Sequence, residues 1–250
     1  MHFLLIDLYL IVSGILAGLL STIAGMASLV SYPVLLSMGL PPVAANVTNT
    51  AAQIFTGIGS TLSSTRELNT AKRTTGIVTA WALSGSVLGC VLLLVAPADS
   101  FAKAVPFLIA FAGCLMLYAL FAKPRPARIA TSHPLLRGAA VFVVGIYIGY
   151  FGASAGVIML AILILTEHLP FATTNAIKNF VSFSANFLAM LIYAFTAAIH
   201  WDLVVKMGIG FLIGGWLGPK IVRIVPVRPL RILIALAAFG LAGYLFVTTY

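Results

Sequence analysis

"GILAGLLSTIAG", Gly14 to Gly25, returns later in the chain as "GIYIGYFGASAG", Gly145 to Gly156. Glycines coincide at Gly14/Gly145, Gly18/Gly149 and Gly25/Gly156. Working outward, "LPPVAANVTNT" from Leu40 is matched by "LPFATTNAIKN" from Leu169, with Leu, Pro and Asn in common. Two further apolar segments close each half, Thr74–Ala96 and Phe101–Ala122, then Leu203–Pro219 and Leu230–Val247. The shared order of elements reads as an internal repeat. Residues 1–122 form the first membrane repeat and 138–250 the second. Between them the proline-containing, basic stretch 123–137 reads as a linker.

The solvent for these segments is a bilayer. Hydrophobic residues make up 62% of the 250 and charged ones 8%, against roughly 25% charged in a soluble domain. From Leu8 to Thr65 there is no Asp, Glu, Lys or Arg in 58 residues, far more than one ~30 Å crossing needs. The chain is therefore an all-α polytopic membrane protein. Its N-terminal segment lacks a basic leader and reads as the first helix rather than a cleaved signal. The net charge of +9 is explained by basic loops at a membrane surface, so no nucleic-acid partner is expected. The lipid bilayer is the expected surrounding, and the composition leaves the oligomeric state open.

The loops decide how the halves are oriented. With four simple spans per half, the basic residues divide poorly between the two sides. If "TIAGMAS" and "GASAGV" are turns, each half is a glycine-broken helical hairpin followed by three transmembrane helices. The halves are then inverted repeats. One side collects eleven basic residues, from Arg66 to Arg231, and the other keeps only Lys103 and Lys206. That division satisfies the positive-inside rule. It predicts cytoplasmic basic loops and both termini on the opposite side.

Polar residues follow helical periodicity inside these apolar segments. Asn175, Asn179, Ser182 and Asn186 share one face, and Lys178 joins it. Asn46, Asn49, Gln53 and Thr56 share a face in the matching segment of the first half. In transporters with inverted repeats, sites lie where such segments meet near the midplane. The stripes hold amides, hydroxyls and one cation but no carboxylate, a set suited to a small anion. The glycine turns add helix N-termini that favour negative charge, with Gly25, Ser28, Ser154 and Gly156 as contributors. The competing interpretation is that these polar groups only bond neighbouring helices and that Lys178 snorkels to the interface.

Other chemistries find little support. Asp7, Glu67, Asp99, Glu167 and Asp202 are the only acids; all lie near segment ends and none forms a pair. A nucleophile–base constellation is missing, so no enzyme is expected. His133, His168 and His200 have no ligand spacing around them, so no metal or other cofactor is expected. Cys90 and Cys114 read as small apolar residues.

The order "YPVLLSMGLPPVAANVTNT", then "GYFGASAGVIMLAILILTEHLPFATTNAIKNFVSFSANF", then "IHWDLVVKMGIGFLIGGWLGPKIV" resembles the sulfite exporter TauE/SafE family over nearly the whole chain. The resemblance implies a bacterial inner-membrane permease exporting small sulfur-containing anions such as sulfite, sulfoacetate or related organosulfonates. It carries one departure: the family's run of consecutive glycines reads "AGMASL" and "SAGVIM" here. A permease for a different anion and a membrane assembly or partner-binding subunit without cargo are the alternatives.

Overall fold

The computed structural model describes residues 2–121, 134–167, 169–221 and 228–249. Most of the linker and the histidines at 133 and 168 lie outside the described residues. So do Lys123, Arg125, Arg128 and Arg223 among the basic positions. The described elements are helices: α1 (His2–Ala24), α2 (Ser28–Ser37), α3 (Pro42–Ser63), α4 (Thr65–Thr70), α5 (Lys72–Val95) and α6 (Ala98–Phe121) in the first half. The second half holds α7 (Pro134–Tyr150), α8 (Ala155–Thr166), α9 (Phe171–Thr196), α10 (Trp201–Ile221) and α11 (Arg228–Thr249). Each half is thus a broken hairpin followed by three long helices, as the repeat predicts. The exception is α4, a short helix inside what reads as a loop.

Glycine makes the breaks. Gly25 sits at φ +75° and Gly152 at +71°, in the left-handed region that side chains disfavour. Ser154 adopts φ +58° just before α8. The Tyr147 hydroxyl braces this second break by donating to the Ala153 carbonyl at 2.8 Å. The returning arms are short: α2 has 10 residues and α8 has 12. At ~1.5 Å per residue neither spans a ~30 Å hydrocarbon core. Prolines then set the long helices, with Pro42 in the first turn of α3 and Pro170 capping α9.

Among the described residues, four helices, α1 from Leu5 onward, α5, α9 and α10, are long and apolar enough to cross a bilayer. Large apolar side chains such as Val95, Phe195 and Trp216 are exposed on their outer faces, the reverse of a water-soluble surface and normal against lipid.

The halves interlock. α1 packs along α10, and its counterpart α7 packs along α5; α10 also packs on α3, and α5 on α9. The two pairs α3–α9 and α6–α11 join equivalent helices of the two halves. Both α1–α10 and α7–α5 are glycine crossings without room for a side chain. A Cβ on Gly14 would lie 2.3 Å from the Met207 carbonyl oxygen, and one on Gly149 would lie 2.2 Å from that of Ser86. Such small-residue faces let backbones approach where lipid offers no hydrophobic drive. Along α1 and α10 the contacts advance together, Gly14 against Gly210 and Gly18 against Gly214, so these helices run parallel. In contrast, α3 and α9 run antiparallel. The His200 amide after α9 donates to Thr48 Oγ1 at the start of α3, while Phe183 packs on Gly57 farther along.

Each hairpin is fastened at its mouth. Arg137 at the start of α7 pairs with Glu167 at the end of α8 at 2.5 Å, with side chains 20% and 11% exposed. The corresponding contact between α1 and α2 is a long neutral one, Tyr9 Oη to Ser37 Oγ at 3.5 Å. Arg137→Ala should therefore destabilise the protein by roughly 1–2 kcal/mol, between the exposed and buried extremes for an ion pair. Tyr9→Phe should cost less than Arg137→Ala, and unfolding midpoints in detergent compare the two.

Candidate functional site

A cavity of about 30 Å³ lies between α3 and α9 where the two helix breaks meet. It has room for about two water-sized groups. From α3 come Thr50, Gln53, Thr56, Gly57 and Ser60; from α9 come Asn179, Ser182, Phe183 and Asn186. The breaks contribute Gly25 and Ala27 on one side and Phe151, Gly152, Ala155 and Gly156 on the other. Gly25 and Gly156 touch backbone to backbone: a Cβ built on either would lie within 2.6 Å of the other's Cα. This contact, like the left-handed turn at Gly25, admits glycine and little else.

The polar stripes divide by height along their helices. The upper part of each stripe reaches the cavity: Gln53 and Thr56 on α3, and Asn179, Ser182 and Asn186 on α9. The lower part meets helix ends instead. Asn46 Nδ2 donates to the Tyr150 carbonyl at the end of α7, at 3.0 Å. Its repeat partner Asn175 donates to the Thr22 carbonyl near the end of α1, at 3.1 Å. One amide from each half thus caps the broken helix of the other, filling the acceptor capacity that helix C-termini leave open.

Lys178 completes the second cap. Its Nζ donates to the carbonyls of Ser21 at 3.1 Å and Thr22 at 3.2 Å, and the residue is 1% exposed. The ammonium thus sits at the negative end of the α1 dipole. Lys178 is not among the cavity-lining residues, but Ser21, whose carbonyl it holds, is.

The equivalent position in the first half is Asn49, which carries no charge. Asn49 accepts from Ser31 Oγ at 2.5 Å and donates to Ser28 Oγ at 3.1 Å. Gln53 Nε2 also reaches Ser28 Oγ, at 3.2 Å. Ser28 therefore ties α2 to α3 instead of facing the cavity. Ser154 is fully buried with no hydrogen-bond partner among the described residues, and it too lies off the cavity wall. Of the residues singled out from sequence, Gly25, Gln53, Gly156, Asn179, Ser182 and Asn186 gather at the cavity. Lys178, Asn46, Asn49, Asn175, Ser28 and Ser154 do not.

Sequence reasoning passed over Ser21, Thr50 and Ser60 on the wall. Ser60 follows Gln53 and Thr56 at seven and four residues, so extending the stripe by one turn finds it. Two donors of lining residues, Asn179 Nδ2 and Thr56 Oγ1, are buried and lack a protein partner among the described residues. Both side chains are more than nine-tenths buried. Among the described residues, no lining residue is acidic or basic and there is no cluster of metal ligands.

Apolar helices closing on a small polar cavity are the architecture of a multi-pass membrane protein. The model of the sulfite exporter TauE/SafE family matches residues 10–245, and the chain belongs to that family. It is 29% identical over 214 residues to a probable membrane transporter protein of Haemophilus influenzae, covering 84% of this chain and 82% of the relative. Probable membrane transporter protein ORF9 of a Sinorhizobium species is 24% identical, with 94% and 90% covered. Probable membrane transporter protein YfcA of Escherichia coli is 24% identical, with 83% and 77% covered. No solved structure matches the chain.

Proposed function

We propose that this transporter is a secondary permease that exports a small sulfur-containing oxyanion, sulfite or a close relative, across a bacterial inner membrane. The observation that carries the proposal is the polar cavity whose described lining residues include no carboxylate and two with unpartnered hydrogen-bonding groups, Asn179 Nδ2 and Thr56 Oγ1. Amide and hydroxyl donors suit an oxyanion, and the first turn of α8 at Ala155 and Gly156 adds the positive end of a helix. Gln53, Ser182 and Asn186 complete the contacts. Lys178 adds positive charge from behind the Ser21 carbonyl.

The small volume favours the smallest of these anions: sulfite needs the walls to part a little, sulfoacetate much more. The proposed mechanism is alternating access, in which the repeats 1–122 and 138–250 rock about the cavity. Their inverted arrangement is supported by the antiparallel run of α3 and α9, because equivalent helices of inverted repeats point in opposite directions. The basic loops and linker 123–137 face the cytoplasm in this reading. A negative-inside potential contributes about 2.3 kcal/mol per 100 mV toward expelling each negative charge, so export needs no further coupling. No step calls for a catalytic group or a cofactor.

Thermal unfolding of the purified protein in detergent tests the reading, with sulfite, sulfate, thiosulfate, sulfoacetate, taurine and acetate at matched ionic strength. A ligand at one hundred times its dissociation constant should add about 2.7 kcal/mol. Thr56→Val is the informative variant. It removes a hydroxyl with no protein partner, so the unliganded protein should stay near wild-type stability. Anion affinity should weaken by about 1.5–3 kcal/mol, the worth of a hydrogen bond to a charged group, and roughly half or more of the stabilisation at that concentration should go with it. Saturable stabilisation unchanged by Thr56→Val would remove the hydroxyl from the site. The absence of stabilisation by every anion would favour a subunit that binds partners instead of cargo.

A further inference from the structure

The same cavity carries a statement about charge, which rests on the anion-permease reading above. We infer that it selects singly charged oxyanions over doubly charged ones. The cost of taking an ion out of water rises with the square of its charge, so a dianion needs far more compensation than a monoanion. Protein sites that hold dianions commonly supply it with a lysine or arginine in contact.

Here the wall holds no charged residue. The cation nearest in the structure's logic, Lys178, is committed to the Ser21 and Thr22 carbonyls. There the negative end of the α1 dipole offsets much of its charge. The N-termini of α2 and α8, at the lining residues Ala27 and Ala155, each add about half a positive charge. The two helix ends together match about one negative charge.

The kinds of polar group point the same way. Thr56 Oγ1 can accept a hydrogen bond as well as donate one, which lysine and arginine cannot. An oxyanion that keeps one proton presents both an O–H and bare oxygens. Thr56 Oγ1 and Asn179 Nδ2, on lining residues and without a protein partner among the described residues, can turn to it as acceptor and donor. For sulfite, which near neutrality exists with one charge or two, the selected species is the protonated monoanion. Each export event then moves one negative charge and one proton together. The proton travels bonded to its cargo, and no carboxylate relay is required.

The test uses the full chain in detergent and ions of fixed charge at constant pH and ionic strength. Nitrate, formate and methanesulfonate carry one charge; sulfate and thiosulfate carry two. Sulfate also stabilises proteins by exclusion from their surface, so only the saturable shift lost in Asn179→Ala is counted. Half-maximal stabilisation should need at least about tenfold less of the best monoanion than of either dianion. Placing a cation on the wall with Ser182→Lys should shift the preference toward sulfate by about tenfold or more. Dianions binding as well as monoanions in the wild-type protein would overturn the inference and leave the permease reading standing. If no ion of either kind binds, the permease reading fails, and this inference fails with it. The wild-type series decides even if Ser182→Lys does not fold.

Discussion

Lys178→Met should lower the stability of the detergent-solubilised protein by about 3 kcal/mol. Removing the ammonium takes a charge-assisted bond from the Ser21 carbonyl, at about 1.5–3 kcal/mol, and leaves it the Gly25 amide at 2.8 Å. It also removes a cation from the end of the α1 dipole, at up to ~2 kcal/mol in a buried setting. The Thr22 carbonyl likewise keeps the Asn175 amide. Methionine keeps most of the side-chain volume, so little of the effect comes from packing. Asn175→Ala should couple strongly to this change, since both side chains serve the same carbonyl. A wild-type unfolding midpoint in Lys178→Met would refute the capping role. Loss of anion binding in this variant does not identify a direct contact, because moving the end of α1 moves Ser21 and Gly25 in the cavity wall.

Gly25→Ala should be more damaging still. The new Cβ would lie 2.5 Å from the Gly156 Cα and 2.9 Å from the Val157 nitrogen. Both are backbone atoms that no rotamer change can clear. The residue would also have to hold φ +75°, which alone costs about 1–2 kcal/mol for an alanine. Together the clash and the strain should exceed about 4 kcal/mol, enough to prevent correct assembly. Gly39 separates the two effects. It sits at φ +84° with nothing within 4 Å of its would-be Cβ, so Gly39→Ala should lose only the strain term. Yield of monodisperse protein and the unfolding midpoint compare the pair. If Gly25→Ala tolerates heating as well as Gly39→Ala does, the break-to-break contact is not the keystone proposed for it.

The helices, the two breaks and the membrane environment were legible in the sequence because each leaves a local signature. Charge-free length reveals a span, glycine after an apolar run reveals a break, and Leu-Pro marks the next helix start. The polar stripes were half legible. Periodicity gives the face a residue occupies, and Asn175, Asn179, Ser182 and Asn186 do share one. It does not give the height at which that face meets a neighbour. Asn175 and Lys178 therefore cap a helix while Asn179 and Ser182, barely a turn away, line a cavity. The partners of Lys178 are Ser21 and Thr22, 157 and 156 residues earlier in the chain, and no local pattern links them. The mouth pair Arg137–Glu167 was hidden for the same reason, its members being 30 positions apart. The Gly85–Gly89 and Gly210–Gly214 spacings were visible, but their partners became evident only in three dimensions.

The exchange of packing partners between the halves also bears on how the molecule is made. Among the contacts described, α5 packs chiefly on α7 and α9, which leave the ribosome after it, and α1 finds its longest partner in α10. A nascent first half therefore waits in the membrane with its glycine faces uncovered. Its closing contacts span much of the chain, the kind of topology that slows folding through the entropy of long loop closure. During that interval the faces of α1 and α5 are open to the wrong neighbour. The tightness of the glycine crossings limits that risk, because a neighbour with a bulky side chain at the crossing cannot bring its backbone as close as the native one does.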